Sequence, residues 1–285
     1  MSFSEAESAA CRRLVELALE EDLGEIGDIT SRTFIPPKLE GRAVFVARAS
    51  GVVAGLPAAA MVFQTAHTPL VKFETLVEDG ARVAPGDRLA IVSGLLEFVL
   101  TGERTALNFL QHLSGIATMT SRFVKAVDGT KTQILDTRKT TPGLRALEKY
   151  ATRMGGAVNH RMGLWDAVLI KDTHLALVGS IGGALRSVRK AYSDDVDINV
   201  EVSNVQELEA ALSERAPRIL LDNFSCGQVR DAMQLIRGRA VVEVSGGVQV
   251  SNARAYALAG ADFISVGALT HSAKALDFSL KVTRY

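Results

Sequence analysis

The sequence predicts an α/β protein whose second half repeats a strand–helix unit around a parallel sheet or barrel. Six apolar runs support this prediction: TQILDTRK (132–139), DAVLIKD (166–172), DINVEVS (197–203), RILLDNF (218–224), AVVEVSGG (240–247) and DFISVGA (262–268). Their starts lie 34, 31, 21, 22 and 22 residues apart, which leaves room for a helix between successive short strands. Each run ends in a polar or charged residue or a glycine. Because strand ends in such folds meet at one rim, the runs also predict where a site lies.

The first hundred residues follow a different pattern. Residues 4–22 have the apolar spacing of an amphipathic helix, with Ser4 as a candidate N-cap. Strand-like segments follow, separated by Gly and Pro turns, at 41–50, 69–77 and 88–94. A long helix is expected over 102–127, interrupted at Ser114-Gly115, and we expect it to connect two domains.

Segment 77–92, VEDGARVAPGDRLAIV, resembles the hairpin repeats of biotinyl and lipoyl carrier domains. Those domains display a modified lysine at an exposed turn, and no such lysine motif lies nearby. We therefore interpret the segment as a structural hairpin.

Composition excludes several classes of protein. The chain has 285 residues, 47% of them hydrophobic, so it can bury a substantial core. Its 32 basic and 32 acidic residues give a formal net charge of zero, which argues against a general nucleic-acid or membrane-surface binder. Cys11 and Cys226 lack metal-ligand spacing, and the amino terminus shows no signal peptide. The weakly polar stretch 51–63 is too short to span a bilayer, so we expect a cytoplasmic protein.

Positive charge is concentrated at the ends of two predicted strands. Arg138, Lys139 and Lys171 each follow apolar residues. Several cations at a partly desolvated rim cost free energy unless an anion balances them. We therefore expect a ligand with several negative charges.

The charged residues between these two strands do not all belong to the predicted anion site. Glu148, Lys149 and Arg153 belong to a helix expected after Pro142, and we interpret them as its solvated face. His160 adjoins Arg161 and is the histidine that we assign to the site, since no two histidines have metal-ligand spacing.

Glycines follow the last two predicted strands, at Ser245-Gly246-Gly247 and Gly267-Ala268. Loops after the final strands of an α/β barrel often bind phosphate through backbone N–H groups, and glycine permits the close approach. A simple strand-to-helix turn would also explain one such loop. Two loops in succession favour a phosphate site.

The acidic residues leave several roles open. Glu201 and Asp222 end adjacent predicted strands and could serve as general acid and base, Mg²⁺ ligands, partners of sugar hydroxyls or counter-ions for Lys171. Lys171 itself could form a Schiff base or belong to an anion clamp, and spacing does not decide between these roles.

Long motifs extend over nearly the whole chain: GERTALNFLQHLSGIAT (102–118), DTRKTTPGLRALEKYA (136–151), GGAVNHRMGLWDAVLIKDTH (155–174), LLDNF (220–224), SGG (245–247) and VGALTHS (266–272). Together they closely resemble the quinolinate phosphoribosyltransferases, also called nicotinate-nucleotide pyrophosphorylases (carboxylating). The resemblance implies an open six-stranded α/β barrel, residues 116–270, with an additional N-terminal α/β sandwich domain, residues 1–115, which the tail 271–285 joins. It also implies a homodimer with a shared active site, or a larger assembly of dimers.

The implied reaction joins quinolinate to phosphoribosyl pyrophosphate and yields nicotinate mononucleotide, pyrophosphate and CO₂ for NAD biosynthesis, with Mg²⁺ assisting. The implied substrate-binding positions are Arg104, Thr137, Arg138, Lys139, His160, Arg161, Lys171, Glu201, Asp222, Ser245, Gly246, Gly247, Val266, Gly267 and Ala268. Of these, Lys139, Lys171, Glu201 and Asp222 are the implied catalytic residues, with Glu201 and Asp222 meeting the ribose and its metal. Arg104 would reach the quinolinate carboxylates from the neighbouring subunit.

Two positions depart from the family pattern, which often has Glu in place of Asn199 and Asn in place of Thr173. Three alternative functions remain. They are a Schiff-base lyase, a non-catalytic sensor of a phosphorylated metabolite, and a transferase that prefers nicotinate.

Overall fold

The protein, represented by a computed structural model, is described over residues 3–67, 70–192 and 196–284. Met1, Pro69 and Tyr285, which belong to predicted segments, lie outside the described residues. The chain divides into two compact units: Met1–Ser121, Thr140–Gly156 and Leu269–Tyr285 form the first, and Arg122–Lys139 and Ala157–Ala268 form the second. Among the described residues, the helices lack the length and apolar character that a transmembrane segment requires.

The elements up to the long helix are α1 (Glu5–Leu23), α2 (Ile29–Phe34), β1 (Glu40–Ala47), β2 (Gly51–Val52), α3 (Leu56–His67), β3 (Val71–Thr75), β4 (Arg82–Val83), β5 (Arg88–Leu95) and α4 (Leu96–Ala126). The elements after it are β6 (Gln133–Leu135), α5 (Arg145–Met154), β7 (Val168–Ile170), α6 (Asp172–Val178), α7 (Ile181–Tyr192), β8 (Ile198–Val202), α8 (Val205–Ser213), β9 (Arg218–Asp222), α9 (Cys226–Ile236), β10 (Val241–Ser245), α10 (Val250–Ala259), β11 (Phe263–Ser265), α11 (Ala268–His271) and β12 (Phe278–Arg284).

An antiparallel sheet with strand order β12-β1-β5-β3 forms the centre of the first unit. The late strand β12 pairs with β1 from Gly41–Arg284 to Ala47–Phe278, so residues near the end of the chain complete this sheet. Helices α1 and α3 pack against each other, and buried side chains such as Val15, Phe45 and Phe63 form the core. This architecture confirms the predicted amino-terminal α/β domain.

Segment 77–92 does not form a hairpin of its own, so that prediction is wrong. Strand β4 pairs with β2, whereas β5 pairs with β1 and β3. The turn between β4 and β5 therefore connects two different sheets.

Helix α4 begins earlier than predicted and is not interrupted at Ser114-Gly115. The Ser114 hydroxyl donates to the Ala54 carbonyl and accepts from the Ala54 N–H, and both bonds are buried. A Cβ on Gly115 would collide with the backbone of Lys274. These two residues therefore permit close packing of other segments without breaking the helix. The division between the two units falls within α4, after Ser121.

The predicted solvated face of α5 is wrong, because Glu148 and Lys149 are fully buried in the first unit. Glu148 accepts hydrogen bonds from His112 Nε2 at 2.9 Å and from the Thr141 N–H at 3.1 Å. Burial of the Glu148 charge depends on partners outside α5, which spacing along α5 alone does not reveal.

The second unit contains a six-stranded sheet with order β6-β11-β10-β9-β8-β7, and every pairing is parallel. The six strands coincide with the six predicted apolar runs, which confirms that prediction. β6 and β7 are the edge strands, and residue Val158 forms an isolated parallel bridge with Leu135 of β6. Since all six strands line or lead into one cavity, the sheet curls into an open barrel.

Glu7 provides a test of buried charge in the first unit. Its carboxylate accepts from the Ser4 N–H at 2.8 Å and from Arg153 Nη2 at 2.6 Å. Burial raises the pKa of Glu7, but these hydrogen bonds and the Arg153 charge lower it by more, so that the net shift is downward. A carboxylate with a lowered pKa contributes stability above its unfolded pKa, and this contribution disappears as the pH falls through the folded value.

We expect Glu7→Gln to lower the free energy of unfolding at neutral pH by about 1.5–3 kcal/mol, because a charge-assisted bond is lost. The difference from the wild type should shrink at acidic pH, as measured by urea unfolding across pH. Glu5→Gln, at an exposed position of the same helix, is the control. A difference that stays constant with pH would contradict this account.

Candidate active site

A cavity of about 600 Å³ lies at the carboxyl end of the six-stranded sheet. Each parallel strand delivers its last residues to this end, so side chains far apart in sequence meet there. Within the second unit the cavity brings together most of the predicted site residues: Thr137, Arg138, Lys139, His160, Arg161, Lys171, Glu201, Asp222, Ser245, Gly246 and Gly247.

Four predicted residues lie elsewhere. Val266, Gly267 and Ala268 follow β11 at the same end of the sheet, but the lining of the cavity ends at Ser265. Arg104 is exposed on α4, in the first unit.

Sequence reasoning missed other residues that line the cavity: Leu169, Leu220, Asn223, Glu243 and Ser265. Glu243 and Ser245 are two residues apart on β10, and Leu220 and Asp222 are two apart on β9. Side chains two apart on a strand point to the same face, so this spacing could have predicted that Glu243 and Leu220 face the cavity.

Two guanidinium groups dominate the positive side of the cavity. Burial lowers the pKa of Arg161, and the nearby charge of Arg138 lowers it further. Arg161 Nη1 donates to the Ala167 carbonyl at 2.9 Å, which fixes the direction of the side chain. The arrangement holds like charges close together in a site where water screens them poorly, so it favours an anionic ligand.

Lys171 follows β7 and lies beside Glu201 of β8, with Nζ 3.2 Å from Oε2. This distance is that of an ion pair, so Glu201 is a counter-ion of Lys171. Burial raises the pKa of Glu201, and the like charges of Asp222 and Asp172 add to this, whereas Lys171 opposes it.

Asp222 is oriented by the residue that follows it. Asn223 Nδ2 donates to Asp222 Oδ2 at 2.7 Å, and the Asn223 N–H donates to the Ser245 carbonyl at 2.9 Å. Asn223 has a φ of 58°, in the left-handed region that Asn tolerates better than most residues. A Cβ on Gly246 would collide with the side chain of Asn223, so glycine is required where this loop passes β9.

Asp136 anchors the segment that carries His160. It is fully buried after β6, and its carboxylate accepts from the His160 N–H at 2.8 Å and from the side-chain amide of Asn159. This fixes residues 159–160 beside the edge strand β6.

Two carboxylates in the cavity, Glu201 and Asp222, suit a hard cation such as Mg²⁺ in the chemistry of their oxygen atoms. Within residues 3–67, 70–192 and 196–284, three or more His, Cys, Asp and Glu side chains do not gather into a metal-binding group. A Mg²⁺ ion held by two carboxylates would take its remaining ligands from water and a bound substrate.

Comparison with known proteins gives a family for this combination of fold and cavity. The family description "Quinolinate phosphoribosyl transferase, N-terminal domain" matches residues 28–114, and its "C-terminal domain" counterpart matches residues 116–281. The chain belongs to the quinolinate phosphoribosyltransferase family.

Relatives within this family cover nearly the whole chain. The nicotinate-nucleotide pyrophosphorylase [carboxylating] of Mycobacterium leprae is 46% identical over 97% of this chain and 99% of its own. The crystal structure of nicotinate-nucleotide pyrophosphorylase from Ehrlichia chaffeensis has a TM-score of 0.92 and 38% identity, covering 99% of this chain and 100% of that one. The NadC structure from Streptococcus pyogenes has a TM-score of 0.94 and 37% identity, covering 100% and 99%.

The left-handed backbone of Asn223 in this phosphoribosyltransferase fold can be tested by two substitutions. Both Asn223→Gly and Asn223→Ala remove the amide, but only glycine adopts a positive φ without a steric cost. We expect Asn223→Gly to be more stable than Asn223→Ala by about 1 kcal/mol, measured from urea unfolding midpoints. Equal stability of the two variants would show that the backbone conformation is not constrained in this way.

Proposed function

We propose that this protein transfers the phosphoribosyl group of phosphoribosyl pyrophosphate to quinolinate, with decarboxylation. The products are nicotinate mononucleotide, pyrophosphate and CO₂, and the reaction supplies NAD biosynthesis. The observation that carries this proposal is one cavity that contains three groups of residues. They are a cationic side (Arg138, Arg161 and Lys171), a pair of carboxylates (Glu201 and Asp222) and a glycine loop (Ser245, Gly246 and Gly247). Membership of the quinolinate phosphoribosyltransferase family supports the same conclusion.

The cationic side fits the two carboxylates of quinolinate. Arg138, Arg161 and Lys171 line the cavity, and each charge-assisted hydrogen bond to an anion contributes roughly 1.5–3 kcal/mol. Their positions orient the pyridine nitrogen toward the ribose carbon, so binding also positions the attack.

The carboxylate pair suits the charge that develops on the ribose. The bond from the ribose carbon to pyrophosphate breaks with its electron pair on the departing oxygen, which leaves positive charge at the ribose carbon. Glu201 and Asp222 offset that charge, while the pyridine nitrogen donates its lone pair to form the new bond.

Decarboxylation then follows from the charge of the alkylated ring. The bond to the carboxylate beside the nitrogen breaks, CO₂ leaves, and its electron pair stays on the ring carbon, which takes up a proton. The ring nitrogen is positively charged at this point and stabilises the electron pair, so an organic cofactor is not required by this step.

Glu201 and Asp222 would also hold Mg²⁺, which would stabilise the pyrophosphate as it leaves. Lys139 is exposed at the rim of the cavity and suits the same pyrophosphate. Ser245, Gly246 and Gly247, with Val266, Gly267 and Ala268, would bind the 5′-phosphate through backbone N–H groups. Thr137 would contribute a hydroxyl beside Arg138.

The Schiff-base alternative loses support from the geometry. A Schiff base would require Lys171 Nζ to attack a carbonyl carbon, but this nitrogen lies 3.2 Å from Glu201 Oε2 and is engaged in an ion pair.

One incubation tests the proposed reaction. Phosphoribosyl pyrophosphate and Mg²⁺ are supplied with quinolinate or with nicotinate, and nucleotide and CO₂ are measured. We expect nucleotide and CO₂ in equal amounts from quinolinate. Nucleotide from nicotinate alone would identify the alternative transferase, and binding without turnover of either acid would identify a sensor.

Lys171→Ala tests whether the cationic side drives this turnover. We expect kcat/KM for quinolinate to fall by about 10- to 100-fold or more, because a charge-assisted contact is lost. Lys131→Ala is the matched control, since Lys131 pairs with Asp262 at 2.6 Å on the exposed surface of the same unit. Similar losses in both variants would contradict a specific role for Lys171.

We also propose that the protein acts in the cytoplasm as a homodimer with shared sites, to which Arg104 contributes from the partner subunit. Arg104 is exposed on the first unit, which suits a contact with a second copy.

Mixing Arg104→Ala and Lys171→Ala chains tests this assembly. Each variant alone should have strongly reduced activity. Random exchange of subunits makes half of the dimers mixed, each with one intact site, so about a quarter of wild-type activity should return. An absence of recovery, with exchange verified by mass, would exclude a shared site.

A further inference from the structure

Glu243 lies one layer below the cavity entrance, in the middle of β10, and its side chain is fully buried. Its carboxylate accepts a hydrogen bond from Asn199 Nδ2 at 2.8 Å, and it lies 2.7 Å from Arg218 Nη2 and 3.3 Å from His160 Nε2. The hydroxyl of Ser265 also donates to it. Burial alone would raise the pKa of Glu243, but the bonds from His160 and Ser265 and the positive charge of Arg218 lower it, so that the net shift is downward. Glu243 is therefore a buried anion with hydrogen bonds from Asn199 and Ser265 and close contacts with Arg218 and His160.

His160 connects this anion to the cationic side of the cavity. The Arg161 N–H donates to His160 Nδ1 at 2.7 Å, so Nδ1 carries no proton. The ring proton is then on Nε2, which faces Glu243. The ring thus lies between the Glu243 carboxylate and the backbone of Arg161, and both of its nitrogens contact protein groups.

The position of Arg161 depends on its contact with His160. Its guanidinium is partly buried and lies near the like charge of Arg138, which pushes the two apart. An arginine that must meet a small, rigid dicarboxylate has to be held against this repulsion before the ligand arrives. The bond from its N–H to His160 holds the backbone, and the bond from Nη1 to Ala167 holds the side chain.

We propose that Glu243 is a positioning residue for quinolinate binding: its buried carboxylate fixes the orientation of His160, and His160 fixes Arg161. This inference rests on the proposed function of the cavity. It assigns His160 a role in the floor of the site, whereas the sequence suggested a member of the clamp that contacts the substrate.

Glu243→Gln tests the proposal, because glutamine keeps the shape but replaces one acceptor oxygen by an amide donor. We expect the KM for quinolinate to rise by about 10- to 100-fold as Arg161 moves. The KM for phosphoribosyl pyrophosphate should change by less than about threefold, since the carboxylate pair and glycine loop are not held by His160. If this variant does not fold, Glu243→Asp keeps the charge with a shorter reach, and we expect the same division between the two KM values.

Asn199→Ala is the matched control within the same network. It removes a different donor from Glu243 and leaves the contact with His160. We expect it to lower the melting temperature, as Glu243→Gln does, but to leave the quinolinate KM within about twofold of the wild type. A purely structural role for Glu243 predicts instead that both variants destabilise the fold and that neither changes the quinolinate KM selectively.

The ¹⁵N spectrum of the imidazole rings supplies a readout that does not depend on activity. In the wild type we expect His160 to carry its proton on Nε2, and in Glu243→Gln we expect this signal to change. An unchanged His160 signal, or an equal rise of both KM values, would overturn the positioning role. Turnover by the wild type distinguishes the proposed function from the positioning role. If the wild type does not turn over quinolinate, the proposed function fails. If it does, but Glu243→Gln leaves the quinolinate KM unchanged, only the positioning role fails.

Discussion

The repulsion between cations at one rim of the barrel is the constraint on which this site depends. Arg138 and Arg161 approach each other in a partly buried cavity, and the pKa of Arg161 falls as a result of burial and of that approach. Lys171 is partly neutralised by Glu201, and an anion that enters the cavity would offset the charge of the two guanidinium groups as well. Fixed positive charge that the protein has already brought together binds an acidic ligand without paying for reorganisation at that moment.

The open edge of the barrel explains where these cations can be placed. β6 and β7 are the two edge strands, and they do not pair with each other in the described sheet. Arg138 follows β6 and Lys171 follows β7, while Arg161 comes from the connection that bridges to β6 through Val158. The carboxylates Glu201 and Asp222 lie at the carboxyl ends of β8 and β9, and the glycines Gly246 and Gly247 follow β10. The order of strands thus separates a cationic seam from an acidic centre and a glycine-rich side, which matches a ligand with distinct acidic, ribosyl and phosphate parts.

The sequence predicts the strands well because buried parallel strands are short apolar runs with regular separation, and it predicts the upper layer of the site because strand ends converge. It does not predict the deeper layer as easily. Glu243 stands inside an apolar run, and only its spacing of two residues from Ser245 indicates that it faces the barrel interior. Burial of Glu148 and Lys149 was missed because an amphipathic pattern places charges on the surface unless a distant partner is known; for Glu148 that partner is His112, 36 residues away. Motif resemblance suggested Arg104, which strand spacing does not place in the site.

The buried network around Glu243 is better explained by the orientation that it gives to His160 than by a contribution to folding stability. Ion pairs in a protein interior often contribute less than well-packed apolar residues of similar size, because removing charges from water is costly. Arg218 lies over the Phe263 ring at 4.5 Å and reaches Glu243 from below, while Asn199 supplies a neutral donor from the adjacent strand. An apolar interior would fill the same space, but it would offer no acceptor to His160 Nε2 and so could not fix the orientation of the ring. A hydrogen-bonded anion fixes the orientation of its partners. A site that must hold Arg161 against repulsion requires such a fixed orientation.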